Sequence, residues 1–174
     1  MAEFVGLVRQ AMEQTFGDDR RRIDHALAVA GWAETLLRYI DADPVITLSA
    51  AYLHDIGIHA AERKHGSSAG RYQEIEGPPI AREILVRLGA DPHLVETVCE
   101  LVGNHHTPEG VDSPEFRILW DADALVNLEE VAPHKNEQEM ARVVQRSFVT
   151  EAGYRLGMEK YLSPGSLAPH LKDG

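Results

Sequence analysis

The chain holds a single cysteine, Cys99, in 174 residues. An internal disulfide is thereby excluded, and the composition suits a reducing compartment. Cations are scarce: 17 lysines and arginines stand against 28 aspartates and glutamates, for a formal net charge of −11 and a pI near 5.2. That balance argues against a nucleic-acid polymer or an anionic membrane as partner, because each needs a basic footprint. A small phosphorylated ligand needs only a local cation and stays open. No apolar run approaches the ~20 residues of a membrane span. The first ten residues, MAEFVGLVRQ, carry an acid early and no long apolar core, so a secretory leader is not expected and a cytoplasmic location is. Internal repeats, low-complexity tracts, clear linkers and convincing strands are also missing.

What is present is a succession of helical patterns, with 44% apolar residues to build a core. Residues 1–174 read as one all-α domain, a compact bundle of about six to eight helices with its core at about 20–130. A first helix is predicted over 3–16, stopped by Gly17, and a second over 19–40 with an aspartate cap. Asp43–Pro44 opens a third, VITLSAAYLHDI, uncharged until its end and therefore central, with Gly57 as its terminator. A mixed segment follows over 58–76, too long for a plain loop and suited to a short helix or a cover over a site. Further helices are predicted over 79–88, from Asp91–Pro92 to about 104, over 115–130, and as one long amphipathic helix over 136–161. The stripe Met140, Val143, Val144 and Phe148 on that last helix suits packing or a homodimer face, and 162–174 reads as a loose tail.

Against this pattern several polar residues stand where apolar ones belong. His25 shares a helix face with Val29, Trp32 and Leu36. His54 and Asp55 close the uncharged third helix. Asp123 follows Phe116 and Trp120 at helical spacing, and Asn127 lies one turn further on. Buried singly, two imidazoles and two carboxylates would each be costly. One divalent cation answers the problem for His25, His54, Asp55 and Asp123 together. Mixed nitrogen and oxygen donors suit Mn, Fe, Co, Ni or Zn, with Mg also open. Four protein ligands on a six-coordinate ion leave positions for water and substrate, as in a catalytic rather than a structural site.

His25, then His54–Asp55, then Asp123, in that order on helices, resembles the HD-domain superfamily of metal-dependent phosphohydrolases, with HDIG at 54–57. The stretch LWDADALVNL resembles the closing helix of that family, which makes Asp123, rather than Asp121, the last ligand. Asn127 resembles a polar position of the stringent-response alarmone hydrolases. The resemblance implies a divalent metal and hydrolysis of a phosphate ester or anhydride of a small molecule, a nucleotide first among them. It also implies catalytic roles: Asp55 orients water, while Glu76 or the pair His105–His106 relays protons. Binuclear branches carry a His-His pair here and a further histidine upstream. Glu76 stands near that upstream position, so a second metal held by Glu76, His105 or His106 is a weaker expectation.

Arg22, within the run Arg20–Arg21–Arg22, is a candidate phosphate clamp. Lys64 and Arg71 lie after the HD pair and are candidates to close over an anionic substrate, with Asn127 as a further substrate-binding residue. His59 has no assigned role, and His93, His134 and His170 read as surface residues. Two other functions draw on the same residues: a di-iron oxygenase on the same scaffold, and a non-catalytic nucleotide- or metal-binding sensor.

Overall fold

A computed structural model of the chain describes residues 2–107, 109 and 111–162. The described residues form nine α-helices and one short 3-10 turn, and contain no strand. The helices are α1 (Ala2–Phe16), α2 (Arg20–Leu36), α3 (Pro44–Leu53), α4 (Ile58–His65), α5 (Gly70–Arg87), α6 (Pro92–Asn104), α7 (Pro114–Val131), α8 (Glu137–Ser147) and α9 (Glu151–Tyr161). The all-α class therefore holds. The segment expected at 162–174 lies outside the described residues apart from Leu162, as does His170.

The starts of the central helices follow their capping residues. Asp43 accepts hydrogen bonds from the backbone N–H groups of Val45 and Ile46, at 2.8 and 3.0 Å, and Pro44 occupies the first helical position of α3. Asp91 caps α6 through Leu94, and Ser113 caps α7 through Phe116. Gly17 and Gly89 adopt left-handed backbone angles just past α1 and α5, where a side chain would be strained. The apolar stripe of α2, Ala26, Ala30 and Ala33, is buried, and its short side chains let α3 and α7 approach closely. α3 is central as expected, packed on α1, α2, α6 and α7. Ile118, Leu119 and Leu125 of α7 are buried in this core, and each contributes roughly 1.5–3 kcal/mol.

The segment 58–76 holds a short helix, α4, and the first turns of α5. Two local expectations need correction. α5 then runs through Gly77–Pro78–Pro79, which the sequence reading took as a break. The two prolines remove two intrahelical donors, but the face bearing Gln73, Glu76, Gly77, Ala81, Ile84 and Leu85 stays buried, and packing outweighs propensity. The single helix expected over 136–161 is two, α8 and α9, parted at residues 148–150. Asp121 causes the break: its carboxylate accepts from the N–H of Val149 (2.8 Å), the N–H of Thr150 (3.0 Å) and the Thr150 hydroxyl (2.5 Å). Thr150 then caps α9 by accepting from Gly153 N–H. Met140 and Val144 pack with Leu128 inside the chain, the packing role expected of this stripe.

Gly57 also differs from expectation. α3 ends earlier, at Leu53, with His54 in the capping position, and Gly57 has an ordinary φ of −80°. What it supplies is space. A Cβ at 57 would lie 2.5 Å from Gly77 N and 2.8 Å from Gly77 Cα, and one at 77 would lie 2.7 Å from Val102 Cγ1. Gly57→Ala should therefore lower the unfolding midpoint, at a cost of about 1–3 kcal/mol. Gly31→Ala, on α2 with nothing within 4 Å of the added methyl, should raise stability by about 1 kcal/mol. Thermal denaturation of the two variants checks both signs.

Candidate metal centre

Two helix ends carry the same device. His54 follows α3 and His105 follows α6, each in the capping position. The Nδ1–H of His54 donates to the Ala51 carbonyl at 2.8 Å, and that of His105 donates to the Val102 carbonyl at 2.6 Å. A carbonyl can only accept, so each ring carries its proton on Nδ1 and turns the Nε2 lone pair inward. Histidines that bind metals are commonly oriented in this way by their second nitrogen. A histidine at the end of an apolar helix thus has a local role: the ring satisfies a carbonyl of the last turn and aims a donor at the interior.

His25 reaches the same point from α2 and Asp123 from α7. His25 Nε2 lies 3.2 Å from His54 Nε2, 3.1 Å from Asp123 Oδ1 and 3.5 Å from Asp55 Oδ2. His54 Nε2 lies 3.5 Å from both Asp55 Oδ2 and Asp123 Oδ1. Neighbouring donors on one cation with bonds of about 2.1 Å are separated by about 3.0–3.4 Å, so the spacing fits a shared ion. The chemistry fits as well. Two imidazole nitrogens face each other at 3.2 Å, and neutral rings with both lone pairs inward would repel. Asp123 Oδ1 is buried without a partner in hydrogen-bonding geometry, despite its 3.1 Å approach to His25, and His105 Nε2 is likewise unpartnered. His105 Nε2 lies 3.4 Å from Asp55 Oδ1, and donors of Asp55, His105 and His106 fall within 4.8 Å of one another. Asp55 therefore borders both groups of donors.

Without a cation, protons take its place. Burial alone would lower the pKa of His54, but the Asp55 and Asp123 carboxylates raise it from 6.5 to about 9. Burial would raise Asp55 and Asp123. The surrounding imidazoles outweigh it and hold both well below the ordinary carboxylate value.

A cavity of about 500 Å³ opens onto this centre, lined by Arg22, His25, Asp55, Gln73, His106, Asp123 and Asn127 among others. The structure thus brings Arg22 and Asn127 to the site together with the four expected ligands and His106. Glu76, Lys64 and Arg71 lie elsewhere, contrary to expectation. Glu76 accepts from Lys64 Nζ at 2.5 Å and pairs with His65 Nε2 at 3.0 Å, closing α4 onto α5. Hydrogen bonds from Lys64 and then His65 hold its carboxyl below the usual range. Arg71 lies over Tyr72, whose ring stacks on His65 at 4.3 Å. His59 ties α4 to the cap of α2 through Asp19, at 2.8 Å. His93 and His134 are exposed, as expected.

Two supporting residues escaped the sequence reading. Gln73 donates to the Ser68 carbonyl at 2.7 Å, which leaves its own carbonyl oxygen facing His106 Nε2 at 3.4 Å. Glu74 accepts from His106 N–H and the Thr107 hydroxyl, holding the turn after α6. Both precede Gly77–Pro78–Pro79, and with a helix expected only from 79 their place in the register of α5 is not legible.

The two aspartates of α7 separate cleanly in role. Asp121→Ala should leave Val149 and Thr150 N–H without partners and cost about 1–3 kcal/mol per lost partner at most, with metal content unchanged. Asp123→Ala should lose metal, and its metal-free form should also give up the stabilisation that the lowered carboxyl supplies beside His25 and His54. Elemental analysis and thermal melts of the two variants distinguish these outcomes. For pH, the folded-state value of His54 is raised, so its contribution is complete below 6.5 and is lost as the pH rises through about 9. The lowered carboxylates contribute above their ordinary value of 3.8 and lose that contribution as the pH falls. Chelator-treated protein should therefore lose stability between about pH 6.5 and 9, and a divalent cation should abolish that loss. Melts across this range with and without metal test the sign.

Comparison with known proteins follows the same residues. A family model described as the HD domain matches residues 22–128, well over half of the chain. Among solved structures, a predicted HD superfamily hydrolase from an uncultured Thermotogales bacterium matches with a TM-score of 0.63 and 25% identity, over 92% of this chain and 84% of that one. No curated protein matches the sequence. None of the described helices is long and apolar enough to cross a membrane. The matched stretch begins three residues before His25 and ends five after Asp123, so the convergence of α2, α3 and α7 on one point is what it spans: this chain belongs to the HD domain family.

Proposed function

We propose that the protein is a metal-dependent phosphohydrolase acting on a phosphate ester or anhydride of a small molecule, a nucleotide first among them. The observation that carries this reading is that His25 and His54 Nε2 lie within 3.1–3.5 Å of each other and of Asp55 and Asp123 carboxylate oxygens, beside an open cavity. These four residues would hold one divalent cation, with Mn, Fe, Co, Ni, Zn and Mg as the candidates. Asp55, His105 and His106 offer donors for a second. A cation bound here supplies a Lewis acid that lowers the pKa of water and neutralises charge on phosphoryl oxygens.

The side chains divide the remaining work. Arg22 and Asn127 bind the phosphate from the cavity wall. Asp55 orients the attacking water, with its Oδ1 lying 3.4 Å from His105 Nε2. His106 is exposed on the same wall, with one ring nitrogen directed at Gln73. It passes the proton of the water to the leaving oxygen. Glu76 takes no part in this scheme, because Lys64 and His65 occupy its carboxylate. The chain acts as one HD-type unit, and its charge and single cysteine suit a cytoplasmic enzyme.

Elemental analysis of protein purified without chelator should find a divalent cation. A phosphate-release screen over nucleotides and small phosphomonoesters, with Mn, Fe, Co, Ni, Zn and Mg supplied in turn, should find turnover. His54→Ala should lose bound metal and reduce release by at least about a hundredfold. Full metal-dependent release by that variant would refute the assignment, and oxygen consumption without phosphate release would replace the hydrolase by an oxygenase.

A further inference from the structure

A second cavity, of about 290 Å³, meets the same centre. It shares His106, Asp123 and Asn127 with the larger one, but its remaining wall comes from a different part of the chain, including Trp120 on α7 and Arg146 on α8. Trp120 donates its indole N–H to the Ser147 carbonyl at 3.1 Å, which fastens the end of α8 beside the centre. Arg146 is the one arginine or lysine on this cavity among the described residues.

The cations of the two cavities are in different circumstances. In the larger cavity Arg21 lies 3.1 Å from Glu130 and Arg22 lies 3.9 Å from Glu62. Asp24 and Glu129 add further negative charge to that wall. Arg146 has no carboxylate within 4.0 Å among the described residues, and no acidic side chain other than Asp123 lines its cavity. An uncommitted guanidinium beside a cavity with room for a phosphoryl group is suited to a doubly coordinated phosphate oxygen pair.

We propose that Arg146 anchors a second anionic group of the substrate, and that the substrate is a phosphoanhydride lying across the centre with its bulkier part in the larger cavity. The inference rests on the hydrolase reading and narrows it from phosphate esters and anhydrides to diphosphate-type linkages. In the reaction the water oxygen bonds to the phosphorus beside Asp123. The bridging P–O bond on the Arg146 side breaks, its electron pair stays with the departing phosphate oxygen, and one proton of the water passes to that oxygen.

The test is calorimetric binding of inorganic pyrophosphate and inorganic phosphate to metal-loaded wild type, Arg146→Ala and Arg146→Lys, with equal metal content verified. Arg146→Ala should weaken pyrophosphate about tenfold, as loss of a charge-assisted contact does, and change phosphate less than about twofold. Arg146→Lys should fall between, keeping the charge without the fork. Equal weakening of both anions, no weakening of either, or failure of wild type to bind pyrophosphate overturns the proposal. Phosphate release by the same samples is read separately. Arg146-dependent binding without release refutes the hydrolase reading and not the anchor; release with pyrophosphate binding unaltered in Arg146→Ala refutes the anchor and not the hydrolase.

Discussion

The organisation of this protein depends on one electrostatic constraint: several lone pairs and negative charges are directed at a common point inside an apolar helical assembly. Nothing in the surrounding core could compensate them individually. His54 is 1% exposed and the His105 side chain 2%, so water is not a ready substitute. Positive charge at the focus resolves the conflict, whether it arrives as protons or as a cation. The fold can be understood as the apparatus that makes the conflict unavoidable. α3 is surrounded by four helices, and its only escape from apolar contact is its own end, where the polar pair is placed.

The helix ends contribute through ordinary backbone needs. The last carbonyls of a helix lack intrahelical donors, and an imidazole at the cap can supply one. That satisfaction settles which nitrogen carries hydrogen, and hence which atom is left to bind something else. α3 and α6 use the device independently, and their directions meet at Asp55. α7 adds an economy of its own. Asp121 and Asp123 are two residues apart, so they point to different sides of the helix. One captures the backbone between α8 and α9, and the other faces the donors.

Much of this was legible in the sequence because it was written as exceptions to periodicity. His25 and Asp123 occupy positions that helical spacing assigns to the interior, and that assignment survives errors of a few residues in the helix ends. The caps Asp43 and Asp91 act locally and were readable for the same reason. The failures are long-range. Pro78 and Pro79 argue locally for a break, and only the buried face of α5 overrides them. Asp121 divides α8 from α9 across 28 residues of sequence, although Thr150–Glu151 carries a start signal that could have been weighed. Glu76, Lys64 and Arg71 were assigned by charge and nearness in sequence. The pairing of Glu76 with Lys64 depends on how α4 lies on α5, and Arg71 turns instead to Tyr72. Arg146 gave no signal at all, since its place follows from the turn that Asp121 imposes.

The contact between Gly57 and Gly77 has a geometric consequence for the cavity. Asp55 stands two residues before one glycine and Gln73 four before the other, and both line the same wall. With backbone touching backbone, that side behaves as a fixed jaw whose gauge cannot be widened by swapping side chains. Any adjustment to ligands of different breadth must come from the opposite jaw, where α2 meets α7 through longer and more pliable groups.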